Sequence, residues 1–328
     1  MKKSFFLSIL AVGALVACSK SEVVDTKFND QIGFTTYLGR DAQTKAAVIE
    51  RADLTSVKVF GYYHGLEDWE SGKSLLWKNG LTLATTSSSV TQPSGEDVRY
   101  WANDTDKYSF LAYAPVTGLS EGTGFDATNP VLTYAVSNDF TNGDVLVAVP
   151  QINRVKDNGT VTLQLQHKLA RLTVKANVTP SVFDFRVKEV TLTGAFNTTG
   201  TISLADPTAW TATPVENTSY TFNDAADATT ALPDNESTIS EKGYLMMIPV
   251  DAAAHKAKLT VKYTTYDPNA KQESSVYTQT FDVATDFKMG TAYAITLAFQ
   301  NDAEVIAFDV TVDPTWGDDQ PVTINPAN

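Results

Sequence analysis

Apolar residues in this chain recur at every second position over short stretches, and Gly, Pro, Asn and Asp separate the stretches. A period of two with frequent Val, Thr, Tyr and Phe is the signature of half-buried β-strands. The pattern predicts strands at "SVKVFGYY" (56–63), "KYSFLAYA" (107–114), "DVLVAV" (144–149), "VKEVTLTG" (187–194), "YLMMIPV" (244–250), "KLTVKYTTY" (258–266) and "AYAITLAF" (292–299). Long helical periodicity is absent. The acidic, Thr-rich stretch 223–242 reads as a surface loop.

One run says more than the others. In "VTLQLQHKLARLTVKANV" (161–178), Val161, Leu163, Leu165 and Leu169 share one phase of the alternation, whereas Ala170, Leu172, Val174, Ala176 and Val178 occupy the other. A strand whose apolar face changes midway contains a bulge or passes from one buried environment into another. The run is therefore expected to lie at a domain junction, dividing the chain into β-rich domains at 54–178 and 179–328.

Two further amphipathic stretches lie near the ends. In "QIGFTTYL", Ile32, Phe34, Thr36 and Leu38 fall on one face; in "EVIAFDVTV", Ile306, Phe308, Val310 and Val312 do the same. Each could fill a groove at a sheet edge, where main-chain hydrogen bonds give affinity and alternate side chains enter pockets. Ordinary edge strands of a closed domain would read the same way.

The first residues follow another rule. Lys2 and Lys3 precede an apolar run from Phe5 to Ala17, too short to span a bilayer comfortably, and "LVAC" ends it at Cys18. This resembles a bacterial lipobox, in which the cysteine is acylated and the bond before it is cut. Segment 1–17 is thus expected to be a lipoprotein signal peptide. Residues 18–53 would form a lipidated leader. Cys18 is the single cysteine in the chain, so disulfides play no part in stability.

Charge and chemistry narrow the functional classes. Lys and Arg total 25 against 38 Asp and Glu, a formal charge of −13. Such a chain does not attract nucleic acid or anionic headgroups electrostatically. "GLSEG" (118–122) matches a nucleophile elbow, but "YAPVT" before it breaks the required strand and "TGFDATNP" after it cannot start a helix. His64, His167 and His255 stand far apart without metal-ligand spacing, and His167 lies on an apolar strand face. The five tryptophans, Trp69, Trp77, Trp101, Trp210 and Trp316, suit core packing better than a sugar platform. No catalytic residue, metal site or cofactor is expected.

Several stretches, taken in order, resemble the fimbrillin family, the type V pilus subunits of Bacteroidales. They are "QIGFTTYLGRDAQTKA" (31–46), "VKVFGYYHG" (57–65), "RYWANDTDKYSFLAYAP" (99–115), "HKLARLTV" (167–174), "VTLTGAFNTTGTISL" (190–204), Trp210, "YLMMIPV" (244–250) and "VTVDPTWGDD" (310–319). The resemblance implies an all-β chain of two transthyretin-like β-sandwich domains, exported as an outer-membrane lipoprotein and assembled into surface fimbriae with other fimbrillin subunits. It also implies a trypsin-like protease that removes the leading strand, so that the vacated groove accepts a strand from another subunit. Where many relatives carry Thr-Arg-Ala, this chain has Thr44-Lys45-Ala46.

The linker 39–53 offers Arg40, Lys45 and Arg51 to such a protease, and cutting at Arg51 would free the whole leading strand while sparing the next. Segment 303–325 would be the donor strand. A tip or accessory adhesin that receives a strand without giving one, and a monomeric glycan-binding surface lipoprotein, are the competing readings.

Lipid attachment can be checked directly. Cys18→Ala should yield an unlipidated precursor that stays in the aqueous phase on detergent partitioning; normal processing and palmitate labelling of that variant would overturn the lipobox reading.

Overall fold

The computed structural model describes residues 30–38, 54–69, 74–85, 90–114, 120–121, 130–140, 143–156, 160–225, 230–239, 243–299 and 306–312, with 37, 38, 120, 121 and 306–312 as backbone. Their regular structure is almost wholly β. The first half contributes β1 (Gly33–Leu38), β2 (Ser56–Gly65), β3 (Ser74–Leu75), β4 (Leu81–Ala84), β5 (Lys107–Ala114), β6 (Ser120–Glu121), β7 (Val131–Ala135), β8 (Leu146–Ala148), β9 (Gln151–Arg154) and β10 (Thr160–His167). The second half contributes β11 (Ala170–Val178), β12 (Asp184–Phe196), β13 (Thr199–Ser203), β14 (Trp210–Ala212), β15 (Val215–Asp224), β16 (Asn235–Thr238) and β17 (Leu245–Met247). A one-turn helix α1 (Ala252–His255) precedes β18 (Ala257–Asp267), β19 (Gln272–Glu273), β20 (Tyr277–Val283), β21 (Thr291–Phe299) and β22 (Ile306–Val312).

In the first half, an eight-stranded sheet runs β1-β10-β8-β5-β2-β3, with β4 beside β2 and β9 beside β5. Its central strands bury both faces, which is why β2 and β5 read as nearly continuous apolar runs. Val57, Val59, Tyr108, Phe110 and Ala112 enter one core with Ile32, Phe34, Leu163 and Leu165. Phe60, Tyr62, Leu111 and Tyr113 enter a second core on the other face.

The second half is a sandwich. One sheet is β16-β11-β21-β22 with β17 also on β11; the other is β15-β12-β18-β19 with β20 on β18. Leu172 and Val174 from β11, Leu192 and Phe196 from β12, Val261 and Tyr263 from β18, and Ile295 and Leu297 from β21 meet between them in a single core. His255 at the end of α1 is wholly buried, and its Nε2 lies 2.8 Å from the Thr285 carbonyl oxygen. The Ala257 N–H donates to its Nδ1, so Nε2 carries the proton, and burial lowers its pKa.

The face change inside 161–178 is realised as a change of sheet. β10 belongs to the first-half sheet and β11 to the sandwich, with Lys168 and Leu169 between them. The crossing is pinned on several sides. Lys168 N–H donates to the Val145 carbonyl, Gly290 N–H to the Leu169 carbonyl, and the Trp210 indole to the Lys168 carbonyl at 2.6 Å. A small sheet, β14-β13-β7-β6, joins the halves further, because β13 pairs antiparallel with β7 from Thr199↔Ala135 to Ser203↔Val131.

The structure corrects the reading of 223–242 as loop throughout. β15 extends to Asp224, and Asn235–Thr238 form an edge strand antiparallel to β11. Polar side chains hide such a strand from an alternation test, because its pairing is made by main chain alone.

Gly194 in β12 is held by close backbone approach rather than by a turn. A Cβ there would lie 2.6 Å from the His255 carbonyl oxygen and 3.0 Å from the Ala257 Cα. Gly194→Ala should therefore lower the denaturant midpoint of the sandwich, at a cost of about 1–3 kcal/mol; an unchanged midpoint would mean the β12–α1 contact yields freely.

Candidate functional site: the leading-strand groove

β1 lies at the edge of the first-half sheet, parallel to β10, with Phe34 opposite Val161, Thr35 opposite Thr162 and Leu38 opposite Leu165. Ile32 and Phe34 are wholly buried and Thr36 nearly so, while Thr35 faces solvent and its hydroxyl donates to Thr162 Oγ1 at 3.2 Å. Strict alternation in "IGFTT" thus places one face in the core and the other in water. The Phe34 ring meets Phe110 edge-on at 5.7 Å and Trp77 at 6.1 Å between centroids. Trp101 in turn packs edge-on against Tyr108 and Phe110. This aromatic set supplies much of the first-half core, and the leading strand is one of its walls.

The free side of β1 is covered by segment 90–101. Ile32 N–H donates to the Arg99 carbonyl at 2.9 Å, and Trp101 N–H donates to the Asp30 carbonyl at 2.8 Å. Gln31 Nε2 reaches the Pro93 carbonyl. At Phe34 a side chain does the work of a neighbouring strand. Gln92 Oε1 accepts the Phe34 N–H at 2.8 Å, and Gln92 Nε2 donates to the Phe34 carbonyl at 2.7 Å. Both main-chain groups of a fully buried residue are thereby satisfied on the side away from β10. Trp77 is held by its indole, which donates to the Asp97 carbonyl, and Arg99 donates to the Leu76 carbonyl.

Ionic contacts fix the start of the strand. Lys156 pairs with Asp30 and lies 3.5 Å from Asp104, and its hydrogen bond to Asp30 raises the lysine pKa. Within the core, burial raises the Tyr108 pKa although the Ala102 N–H donates to its oxygen.

At the other end, β22 pairs antiparallel with β21 at the sandwich edge. The four alternating residues of its sequence, Ile306, Phe308, Val310 and Val312, occupy register positions opposite Phe299, Leu297, Ile295 and Tyr293, all of them core residues. Cys18, Arg40, Lys45 and Arg51 lie outside the described residues.

The other sequence candidates are dispersed. Ser120 of "GLSEG" sits in β6, paired with Thr133. His64 bonds Ser109, His167 bonds the buried Asp144, and His255 is enclosed by the sandwich, each in a different part of the fold. Among the described residues no group of three His, Cys, Asp or Glu could hold a metal ion. Trp69, Trp77 and Trp101 are buried, Trp210 is half-buried against Tyr134, and Trp316 lies outside the described residues. Gln92 carries no sequence signal: it stands in a polar, Pro- and Gly-containing stretch that reads as loop.

An all-β chain with a buried strand at a sheet edge and no clustered catalytic or metal-binding side chains among the described residues can be set beside known proteins. The profile of the fimbrillin-like family matches residues 29–316, and the chain belongs to that family. Its fold is that of solved Bacteroides proteins. A fimbrial protein from Bacteroides vulgatus superposes with a TM-score of 0.62 at 17% identity, over 87% of this chain and 99% of its own. A proposed cell-adhesion protein from Bacteroides ovatus gives 0.56 at 15% identity, over 89% and 99%. Another from Bacteroides uniformis gives 0.54 at 15%, over the same shares. No curated protein sequence matches.

Phe34→Ala should destabilise the first-half core by about 3–5 kcal/mol, as for other buried Phe truncations. Thr35→Ala, on the outer face of the same strand, should stay within about 0.5 kcal/mol. Denaturant unfolding of both variants checks this, and equal effects would mean that the alternation does not decide how β1 is held.

Proposed function

We propose that the chain is a structural subunit of a cell-surface fimbria that serves adhesion, exported as a lipoprotein through Cys18 and polymerised by protease-triggered strand exchange. The observation that carries this reading is the leading strand itself. Ile32 and Phe34 are fully buried core residues on a strand that precedes a linker, 39–53, rich in trypsin-type sites. Removing that strand uncovers the apolar wall formed by Trp77, Phe110, Val161 and Leu163, which then needs a new occupant. In this reading 18–53 is the removable leader, 54–178 the receiving domain and 179–328 the domain that carries the donor segment 303–325.

The energetics make proteolysis the switch. Burying four apolar residues such as Ile306, Phe308, Val310 and Val312 contributes roughly 6–12 kcal/mol before ordering costs. An attached leading strand competes at high effective concentration and keeps a foreign strand out. Cleavage removes that advantage. A cut after Arg51 frees all of β1; a cut after Lys45 matches the position implied by the family resemblance. The role is assembly rather than catalysis, and its partners are other fimbrillin subunits, the maturation protease and, through lipid, the outer membrane.

One observation favours the second reading, a tip or accessory adhesin. β22 already pairs with β21 over seven positions, and a subunit whose tail stays there receives a strand but gives none.

Mild trypsin treatment of the purified mature protein, followed by electrophoresis without boiling, separates the possibilities. The pilin reading expects a ladder, with amino termini at Ala52 or Ala46, and its loss in Phe308→Asp. Complete cleavage that leaves only monomer would overturn that reading and leave the accessory adhesin and the monomeric glycan-binding lipoprotein.

A further inference from the structure

We infer that Gln92 sets the polarity and register of whatever strand fills the groove, and that the strand it selects is 306–312 of a second copy, lying parallel to β10 with Phe308 in the place of Phe34. This rests on the strand-exchange reading above and adds the direction and alignment of the exchanged strand.

The argument begins with chirality. In a β-strand of L-residues the side chain points to one face while the N–H and C=O of that residue point to one edge, and the two are linked for a given chain direction. Turning a strand end for end while keeping a residue inward sends its N–H and C=O to the opposite edge. In β1 the inward residue Phe34 presents both groups to Gln92, away from β10, while its neighbours Gly33 and Thr35 face β10. An occupant running parallel to β10 with an inward residue at this level reproduces that arrangement. An antiparallel occupant with an inward residue at the same level points its N–H and C=O at β10, and the Gln92 amide then faces no main-chain polar group at that level, the nearest lying one residue away along the strand. The Ile32 N–H to Arg99 carbonyl bond would be lost in the same way. Gln92 is itself exposed, so it stands at the mouth of the groove, where an entering chain meets it.

The tail carries the matching sequence in the matching direction. "IGFTTYL" (32–38) and "IAFDVTV" (306–312) align from amino to carboxyl end as Ile with Ile, Gly with Ala, Phe with Phe, Thr36 with Val310 and Leu38 with Val312. Asp309 then falls at the solvent-facing position of Thr35, where a charge is tolerated. A small residue follows Ile in both segments, and Phe308 is aligned with Phe34, whose ring lies against Trp77 and Phe110. Read backwards, the tail puts Val310 ahead of Phe308 and loses this match.

Cysteine cross-linking tests the proposal, because Cys18 is the single native thiol. In the full chain carrying Cys18→Ser, Asp309→Cys is combined with Thr162→Cys or with Thr160→Cys. Within one chain, position 309 lies opposite Thr296 in the sandwich sheet, whereas 160 and 162 lie in β10 of the other sheet. After trypsin treatment and oxidation, the parallel register joins 309 to 162 of a second copy and gives a covalent ladder on boiling without reductant. An antiparallel strand with Phe308 at the same level joins 309 to 160 instead. Replacing Gln92 by Ala should lower the 162-to-160 cross-link ratio about tenfold by removing two main-chain bonds; Gln92→Glu, which keeps only the acceptor, should fall between.

A ladder that cross-links through 160 overturns the inferred polarity while strand exchange stands. An unchanged ratio in Gln92→Ala overturns the role of Gln92. Complete cleavage without any ladder means that the tail of one copy does not enter the groove of another, and it overturns the pilin reading and this inference together.

Discussion

A sheet edge inside a hydrophobic core has to be completed on both of its sides, and the first half of this protein depends on how that is achieved at β1. Along one side β1 pairs with β10; along the other, the Arg99 carbonyl, the Trp101 N–H and the side-chain amide of Gln92 take the bonds that a further strand would make. The Phe34 ring can be buried only because its own N–H and C=O are satisfied on the outer side. The aromatic core of Trp77, Trp101, Tyr108 and Phe110 is therefore tied to the occupant of one edge position. That makes the occupant a structural requirement rather than an accessory.

The two halves are not beads on a string. The excursion β13–β14 leaves the sandwich between β12 and β15 and pairs with β7 of the first half, and their shared core holds Phe60, Tyr113, Tyr134 and Ile202 together. The contact of half-buried His167 with buried Asp144 and the Trp210 indole on the Lys168 carbonyl sit at the same crossing. A change at the leading-strand edge thus reaches the sandwich through packed, hydrogen-bonded elements that both halves contribute.

How much of this was legible in the sequence follows from what makes each feature. The strands of 56–63, 107–114, 258–266 and 292–299 were legible because alternation is a local consequence of the pleat, and the structure differs only by a residue or two at their ends. The phase change at Leu169–Ala170 was legible as a change of surroundings, since only a change of sheet or a bulge reverses it. Three things were not. The strand Asn235–Thr238 has no apolar face to betray it. The β7–β13 pairing joins segments remote in the chain, and periodicity is silent about partners. Gln92 acts on the main chain of a residue 58 positions earlier, and a main chain carries no sequence signal. Alternation likewise marks 306–312 as a strand without saying which edge it covers.

The shared direction of β1 and β10 has a mechanical consequence. β10 continues at its carboxyl end through Lys168 and Leu169 into β11 and so into the body of the sandwich. Under the proposed exchange, a tail strand from another molecule lying in β1's direction would be anchored to its own molecule at its amino end, the opposite end from that exit. Tension that draws the two molecules apart would then pull the paired strands past each other lengthwise. Every main-chain bond of the pair is loaded together in shear. With the opposite polarity both anchors would lie at one end, and the same force would peel the bonds open one at a time. A chain of subunits joined in the first way resists flow by sharing the load along the whole length of each joint.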